Sequence, residues 1–323
     1  MTKFKYSIIT PCYNSFNLMK RYFDSLEKQS FKNFEVLIVD DASTDNSYEK
    51  LLDYKNNTSL NLKVLRNKKN TGPGCARNYG IREASGEWLT FIDNDDFVDN
   101  NLLEKIEEVV NGNDLDCVVY DYCLDDGKKI SNMSSIYNDK IGIVSQFDAI
   151  MYVRNHSVCK FYKTSILRNN NVYYPNIRRH EDISFVAFAL SFCKRIYHLN
   201  INAYHYVQRK NSLSNNKCLD EGTLIEAFEI LTSRVNKKFK TELKEKSVPD
   251  LLYGVCLIMC KSKKSRIDII NFINKYEIRY PDWYNCSIIS FLGKGKKIFL
   301  FAVKYRLVFT MKFISKVHSI LIG

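Results

Sequence analysis

The first hundred residues alternate short runs of apolar and β-branched side chains with amphipathic segments. The runs at 6–10, 34–39, 62–65 and 87–92 are typical of buried strands. Apolar residues at helical spacing follow the first run, namely Leu18, Met19, Tyr22, Phe23 and Leu26. Strands that alternate with helices predict an α/β fold, in which helices flank a Rossmann-like, mainly parallel sheet.

Polar residues follow three of these predicted strands, at 11–14, 40–41 and 93–96. The carboxyl ends of neighbouring parallel strands meet at one edge of a sheet, and ligands bind there. We therefore expect these three segments to lie together and to form a ligand site.

The sequence Asp93-Asn94-Asp95-Asp96 places three carboxylates within four residues. Like charges at this spacing raise one another's pKa, and a hard divalent cation would remove the repulsion. Mg²⁺ takes one or two protein carboxylates and fills its other positions with water and phosphate oxygens. The cluster therefore predicts a metal-assisted site for a nucleotide diphosphate, with a solvated acidic turn as the alternative.

The loop Gly72-Pro73-Gly74-Cys75-Ala76-Arg77 opens a predicted helix but lacks the third glycine of a dinucleotide-binding turn. Its backbone N–H groups and Arg77 could bind a phosphate, or Arg77 could brace the acidic cluster. The sequence leaves both roles open.

In the second half of the chain, Glu181 and Asp182 precede an apolar helical run that ends near Phe192. Acidic residues in a first helical turn are common as caps and as partners of the helix dipole. Beyond residue 215 the apolar spacing is helical throughout.

The composition describes a folded chain of 323 residues with 45% apolar side chains, long enough for about two domains. Ten cysteines without a C-x-x-C pair predict free thiols in a reducing compartment. The net charge of +12 first suggests nucleic acid, yet more than half of the excess lies after Asp282, where no acid occurs. The seven basic residues there are Lys294, Lys296, Lys297, Lys304, Arg306, Lys312 and Lys316.

Aromatic and aliphatic residues are interleaved with these seven charges, and no apolar run there is long enough to span a bilayer. The pattern predicts a helix that lies on an anionic membrane surface, with a helix packed on its own domain as the alternative. On a helical wheel one arc holds Lys294, Lys297, Lys304, Lys312 and Lys316, whereas Lys296 and Arg306 fall outside it.

Four ordered segments, 7–14, 34–45, 72–78 and 93–96, resemble those of GT-A-fold glycosyltransferases of family 2. The resemblance implies a nucleotide-sugar donor, usually a UDP-sugar, whose nucleobase binds near Pro11, Tyr13 and Asp41. It also implies Mn²⁺ or Mg²⁺ on the diphosphate, bound by Asp93 and Asp95. The residues expected to bind the donor are Pro11, Tyr13, Asp41, Arg77, Asp93, Asn94, Arg209 and Ser212.

The resemblance extends to the second half of the chain. Glu181 and Asp182 look like the motif that carries the catalytic base, and we expect Asp182 rather than Glu181 to have this role. Arg209 and Ser212 lie in a segment that could close on the diphosphate. His205 is either a third metal ligand or a packed or solvent-facing strand residue. Imidazole suits Mg²⁺ poorly, which favours the second interpretation.

We therefore expect a catalytic domain at 1–215, a helical acceptor-side region at 216–285 and a membrane-associating tail at 286–323. The expected activity is inverting, metal-dependent transfer of one sugar to a glycan acceptor, lipid-linked, at the cytoplasmic face of the membrane. A sugar nucleotidyltransferase is the enzymatic alternative. Such an enzyme would carry a basic glycine-rich loop directly after the first strand, where this chain has residues 11–14 instead. A non-catalytic nucleic-acid-binding protein is the second alternative. The acidic centre of the expected site argues against nucleic acid as a partner.

Overall fold

The computed structural model describes residues 3–208 and 221–322. Its ten strands are β1 (Phe4–Cys12), β2 (Phe34–Asp40), β3 (Leu62–Arg66), β4 (Gly86–Phe91), β5 (Phe97–Val98), β6 (Cys117–Asp125), β7 (Ile130–Met133), β8 (Gly142–Val144), β9 (Lys160–Lys163) and β10 (Ile196–Val207). The helices of the first 208 residues are α1 (Lys20–Glu27), α2 (Ser47–Asn57), α3 (Pro73–Glu83), α4 (Leu102–Val110), α5 (Gln146–Tyr152), α6 (Thr164–Asn169) and α7 (Glu181–Leu190).

The second described range is helical. It contains α8 (Glu221–Arg234), α9 (Lys240–Ser247), a π-helix (Val248–Tyr253), α10 (Gly254–Lys261), α11 (Arg266–Arg279), α12 (Ile288–Phe291), α13 (Lys294–Lys304) and α14 (Val308–Ile322). Short 3₁₀ turns lie at Phe16–Leu18, Lys237–Phe239 and Trp283–Asn285.

One sheet has the strand order β3-β2-β1-β4-β9-β6-β10-β5, with β7 added beside β6 and β8 beside β10. The first four strands of this order are parallel, and β6 and β10 are also parallel. β9 joins these two parallel groups and runs antiparallel to β4 and β6. The predicted α/β fold is therefore confirmed.

Alternate residues of the strands fill two separate cores, because successive side chains of a strand point to opposite faces of a sheet. Tyr6, Ile8 and Trp88 pack with α1 and α4 on one face. On the other face Ile9 and Phe91 pack with α3 and α7. The central strands are thus buried on both sides, which explains their nearly continuous apolar sequences.

The C-terminal helices extend the second core rather than forming a separate one. Phe299 and Val303 of α13 are fully buried, and they belong to the same apolar cluster as Ile9 and Phe91 of the sheet. Arg306, which follows α13, forms a two-pronged ion pair with Glu277 of α11. One face of the tail therefore packs against the body of the protein.

The opposite face of the tail carries exposed apolar side chains. Phe309 is 86% exposed, and the others on this face are Ile298, Phe301, Tyr305, Leu307 and Phe313. No helix in the described ranges is both long enough and apolar enough to cross a membrane. The nine cysteines that the structure describes are free thiols, as predicted for them.

Candidate active site

The three polar segments that follow β1, β2 and β4 meet at one edge of the sheet. The backbone N–H of Asp41 donates to the carbonyl of Cys12 at 2.8 Å. The side-chain amide of Asn94 donates to the Pro11 carbonyl at 3.0 Å and to Ser15 Oγ at 2.6 Å. The parallel register produces this convergence, because Cys12 pairs with Asp40 and Ile9 pairs with Phe91.

Around this edge, Tyr13 is 44% exposed and its ring is open to solvent. Asp41 is buried, and its carboxylate accepts hydrogen bonds from the N–H groups of Thr71 and Gly72 and from the Asn67 amide. Gly72 has a φ of 91°, a backbone conformation that favours glycine. Asp41 thus fixes the loop before α3, and its contact with a nucleotide base remains a prediction.

The acidic segment forms a tight turn between β4 and β5 in which the N–H of Asp96 donates to the Asp93 carbonyl. Asp93 and Asp95 are half-buried at the site, whereas Asp96 is 1% exposed. Asp96 accepts hydrogen bonds from the Tyr204 hydroxyl and from the Val207 N–H. Burial and the neighbouring Asp93 raise the pKa of Asp96 to about 7. The three carboxylates therefore differ in role, since Asp96 anchors β10 to the turn.

Arg77 is buried and joins the acidic turn to the start of α7. Its Nη2 donates to Asp93 Oδ1 at 2.7 Å, and its Nη1 donates to Glu181 Oε1 at 3.2 Å. Of the two roles that the sequence left open for Arg77, the structure contains the bracing contact.

Gly74 allows α3 to approach α7 closely enough for this bridge. A Cβ atom at Gly74 would lie 2.9 Å from Glu181 Cγ and 3.1 Å from Tyr174 Cβ. Either distance is shorter than ordinary van der Waals contact, so a larger residue would push α3 away. The second glycine of the loop thus serves helix packing.

The two acids at the start of α7 have different surroundings. Glu181 is buried and paired with Arg77, and burial raises its pKa. Asp182 is half-buried, and its Oδ1 accepts a hydrogen bond from the N–H of Ile183 at 2.9 Å. Burial first, and then the charge of Glu181, raise the pKa of Asp182 to about 7, while Arg77 and the Ile183 N–H oppose the shift.

His205 lies on β10 opposite Phe97, and the two rings stack with centroids 4.3 Å apart. Its Nε2 is 2.8 Å from Asp99 Oδ1, and its Nδ1 has no hydrogen-bond partner within the described residues. The packed-strand alternative thus has direct contacts, and metal ligation by His205 stays a prediction. Arg209 and Ser212 lie outside the described residues.

Within the described ranges, no group of three or more His, Cys, Asp or Glu side chains is arranged to hold a metal ion. Asp93 and Asp95 nevertheless offer hard carboxylate oxygens at the rim of the site. Mg²⁺ or Mn²⁺ needs no larger protein set when substrate phosphates and water complete its coordination. The chemistry of these donors therefore fits a metal that binds together with a diphosphate.

Sequence reasoning missed Tyr204, whose hydroxyl donates to Asp96 and accepts from the N–H of Asp93. A buried tyrosine with a polar partner is common in cores, so its sequence position alone carried no functional signal. The observation that Asp96 needs a partner once it is buried could have prompted a search for such a donor.

The sequence of the chain matches a known family and its members. Residues 7–170 match the family model for glycosyl transferase family 2, and the chain belongs to this family. It is 31% identical over 211 residues to the poly(ribitol-phosphate) β-N-acetylglucosaminyltransferase TarS of Staphylococcus aureus strain Mu50. This match covers 64% of the chain and 36% of TarS, so the chain spans little more than a third of that relative.

Solved structures show the same fold. The crystal structure of S. aureus TarS 1–349 in complex with UDP-GlcNAc has a TM-score of 0.74 and 21% identity, covering 97% of this chain and 91% of that one. A mannosyltransferase from Pyrobaculum calidifontis in complex with GDP-Man and Mn²⁺ has a TM-score of 0.58 and 15% identity, with 98% and 87% coverage. The predicted GT-A fold is confirmed, and the family favours a glycosyltransferase over both alternatives.

Proposed function

We propose that this protein transfers one sugar from a UDP-sugar to a hydroxyl of a glycan acceptor, with inversion at the anomeric carbon. The observation that carries the proposal is the Arg77 bridge, which ties Asp93 of the diphosphate site to Glu181 of the base motif. This bridge brings the start of α7 to the edge of the sheet where donors bind in such folds. UDP-GlcNAc in the crystal structure of TarS 1–349 supports a uridine nucleotide as the carrier.

In this proposal Asp93 and Asp95 hold Mg²⁺ or Mn²⁺, which would neutralise charge on the leaving diphosphate. Mn²⁺ in the mannosyltransferase complex supports this choice of ion. Pro11 and the exposed Tyr13 border the site for the nucleobase. Asn94 and Arg77 hold in place the turn that carries Asp93 and Asp95. We infer that Arg209 and Ser212 also bind the donor, and this inference comes from the family resemblance alone.

Asp182 is the better base of the two acids. Glu181 is buried and its carboxylate already accepts from Arg77, so it would have to break an ion pair to accept a proton. Asp182 is half-buried, is not paired with Arg77, and has a pKa of about 7, which suits a group that alternates between protonation states near neutral pH.

The proposed reaction is a single displacement. Asp182 takes the proton of the acceptor hydroxyl while that oxygen bonds to the anomeric carbon. The bond from this carbon to the diphosphate breaks, and its electron pair leaves with UDP. Attack from the side opposite the leaving group inverts the configuration.

We further propose that residues 1–215 bind the donor, that 216–285 complete the acceptor side and that 286–323 contact a membrane. The exposed face of α13 and α14 supports the last point, because Ile298, Phe301, Phe309 and Phe313 point away from the body of the protein. Peripheral binding at the cytoplasmic leaflet would bring the site to a lipid-linked acceptor. The acceptor named for TarS, a poly(ribitol-phosphate), is the model for its chemistry.

A donor screen tests this function. The protein is incubated with UDP-, GDP- and dTDP-sugars, with Mn²⁺, with Mg²⁺ or with EDTA, and release of the nucleoside diphosphate is measured. We expect metal-dependent hydrolysis of one or more UDP-sugars, and loss of this hydrolysis with Asp95→Ala. Absence of hydrolysis or binding for every sugar nucleotide would refute the proposal.

A further inference from the structure

His198 of β10 has a hydrogen-bond acceptor at each of its two ring nitrogens. Its Nδ1 lies 2.6 Å from the carbonyl oxygen of Lys140, and its Nε2 lies 2.9 Å from Oδ1 of Asp121 on β6. A neutral imidazole carries one N–H and can donate to only one of these oxygens, whereas the imidazolium donates to both. His198 and Asp121 are both buried, so solvent does not replace a donor that is lost here.

The carboxylate of Asp121 and the ring of His198 hold two points of one surface segment. Asp121 Oδ1 accepts a hydrogen bond from the N–H of Ser135 at 2.7 Å, which favours the ionised carboxylate. Ser135 is held a second time, because its carbonyl accepts from the backbone just after α5. Lys140 is exposed, and the hydrogen bond from His198 to its carbonyl ties residues 138–141 to the sheet. We call residues 138–141 the latch loop.

The charges that face His198 favour its protonated form. Asp121 faces the ring from β6 and Asp139 from the latch loop, whereas β8, which pairs with β10 at His198, carries no charged side chain. Burial alone would lower the pKa of His198, but the hydrogen bond and charge of Asp121, the Lys140 carbonyl and the charge of Asp139 raise it. The contact with Lys140 is therefore complete at low pH. It is lost as the pH rises through this pKa, above the ordinary histidine value of about 6.5.

The latch loop forms part of the wall of a groove of about 580 Å³. Residues that the latch loop and β10 contribute to its lining are Asp139, Ile141, His198, Asn200 and Asn202. Arg154 lines the groove too, and its Nε donates to the Ser134 carbonyl. The ammonium group of Lys140 lies 3.2 Å from Asp148 Oδ2 of α5. Movement of the latch loop would therefore change the width of this groove.

We propose that His198 is a pH-sensitive latch, whose protonated ring holds the latch loop on the sheet and whose deprotonation releases the loop and widens the groove. The single N–H that remains stays on Nε2, because a hydrogen bond to the Asp121 carboxylate is stronger than one to a carbonyl. The lone pair of Nδ1 then faces the lone pairs of the Lys140 oxygen, and this contact becomes repulsive. The latch goes beyond the proposed sugar transfer and needs neither donor nor acceptor to operate.

Two measurements on the full chain test the latch. NMR of the His198 ring proton, assigned by its change in Asp121→Asn, gives the pKa of the ring. Cleavage by trypsin after Lys140 reports the released loop, because a protease cuts a segment in proportion to the fraction that has opened. Cleavage after Lys128, in the exposed turn between β6 and β7, is the internal reference for the pH dependence of trypsin itself. We expect the ratio of the two rates to rise about tenfold through the titration of His198.

Three variants separate the latch from other causes of release. His198→Gln should keep the cleavage ratio at its high-pH level at every pH. Asp121→Asn should move the rise to lower pH, because it removes the charge that raises the pKa of His198. Asp148→Asn is the matched control, since it breaks the exposed ion pair of Lys140 and should leave the midpoint of the rise unchanged.

A pKa of His198 at or below the ordinary histidine value would overturn the inference, and so would a cleavage ratio that stays constant through the titration. A wild-type pH dependence in folded His198→Gln would also overturn it. If His198→Gln does not fold, the wild type and Asp121→Asn decide, because equal midpoints in these two proteins contradict the latch. Failure of the donor screen would reject the proposed function and would leave all of these outcomes unaffected.

Discussion

The hydroxyl of Tyr204 lies 2.5 Å from Asp96 Oδ2 and connects β10 to the acidic turn after β4. The same hydroxyl accepts a hydrogen bond from the N–H of Asp93 at 3.2 Å. Asp96 and Tyr204 are both buried, so neither group can exchange this partner for water. The turn that presents Asp93 and Asp95 is therefore held from beneath by β10.

Tyr204→Phe should destabilise the protein by about 1–3 kcal/mol, because it leaves the buried Asp96 short of a donor. It should also weaken UDP binding in Mn²⁺ by loosening the turn. Urea unfolding and calorimetry measure the two effects. Tyr305→Phe, at a 55% exposed ring, is the control that should change neither. Equal stability of the two variants would show that the bond contributes nothing.

Asp95→Ala should abolish metal-dependent donor binding and leave the fold intact. Asp95 is half-buried at the rim of the site, and its loss removes one of the two proposed metal ligands. Calorimetry with UDP in Mn²⁺ and in EDTA checks this, with Asp53→Ala on α2 as a control acid far from the turn. Unchanged affinity and unchanged metal dependence in folded Asp95→Ala would remove the site.

Asp182→Asn should bind donor normally and lose transfer by about 10²-fold or more. Because the base acts when ionised and its pKa is about 7, wild-type kcat/KM should rise with pH up to about 7 and level off above it. Rate profiles between pH 5 and 9 test this. If Asp182→Asn transfers normally while Glu181→Gln is inactive, the two acids exchange roles.

Arg77→Gln should lower the free energy of unfolding by about 3 kcal/mol, near the lower end for a broken buried ion pair because Asp93 is one-third exposed. It should also move the rise in the pH profile to higher pH, since Arg77 holds the pKa of Asp182 down. Arg77→Gln with Glu181→Gln should recover part of the stability. A profile unchanged by Arg77→Gln would show that the cation does not act on the base.

Phe309→Ser with Phe313→Ser should reduce sedimentation with anionic liposomes and leave transfer to a short acceptor unchanged. Added salt should weaken binding of the wild type without abolishing it. Ile278→Ser, at an 84% exposed residue of α11, is the control. Truncation near residue 281 is a poorer test, because Trp283, Phe299 and Val303 belong to the core.

The convergence of the three polar segments at one edge of the sheet could be predicted because it follows from local order. Strand, polar exit and helix repeat along the chain, and a parallel register then brings the exits together without further information. The role of Arg77 could not be fixed, since Glu181 lies 104 residues away in sequence. The position of Glu181 relative to Arg77 depends on how α7 packs.

The inward contacts of Lys296 were missed for a related reason. The sequence grouped Lys296 with the membrane-facing lysines, although the wheel separated both Lys296 and Arg306 from them. Those two residues contact the body of the protein, at Tyr253 and at Glu277, and so does Lys312 of the arc, whose Nζ donates to the Lys264 carbonyl. Which face of an amphipathic helix turns inward is set by tertiary packing, but residues that break its charge pattern indicate contacts worth testing.

The position of Lys296 so late in the chain has a consequence for biosynthesis. Asp41, Arg77, Asp95 and Asp182 leave the ribosome well before it, since 114 residues separate Asp182 from Lys296. At rates of synthesis of about 5–20 residues per second this interval lasts roughly 6–23 s. A nascent chain can therefore form the sheet edge that carries Asp41 and Asp95 while α13, whose Phe299 and Val303 belong to the second core, is still being synthesised.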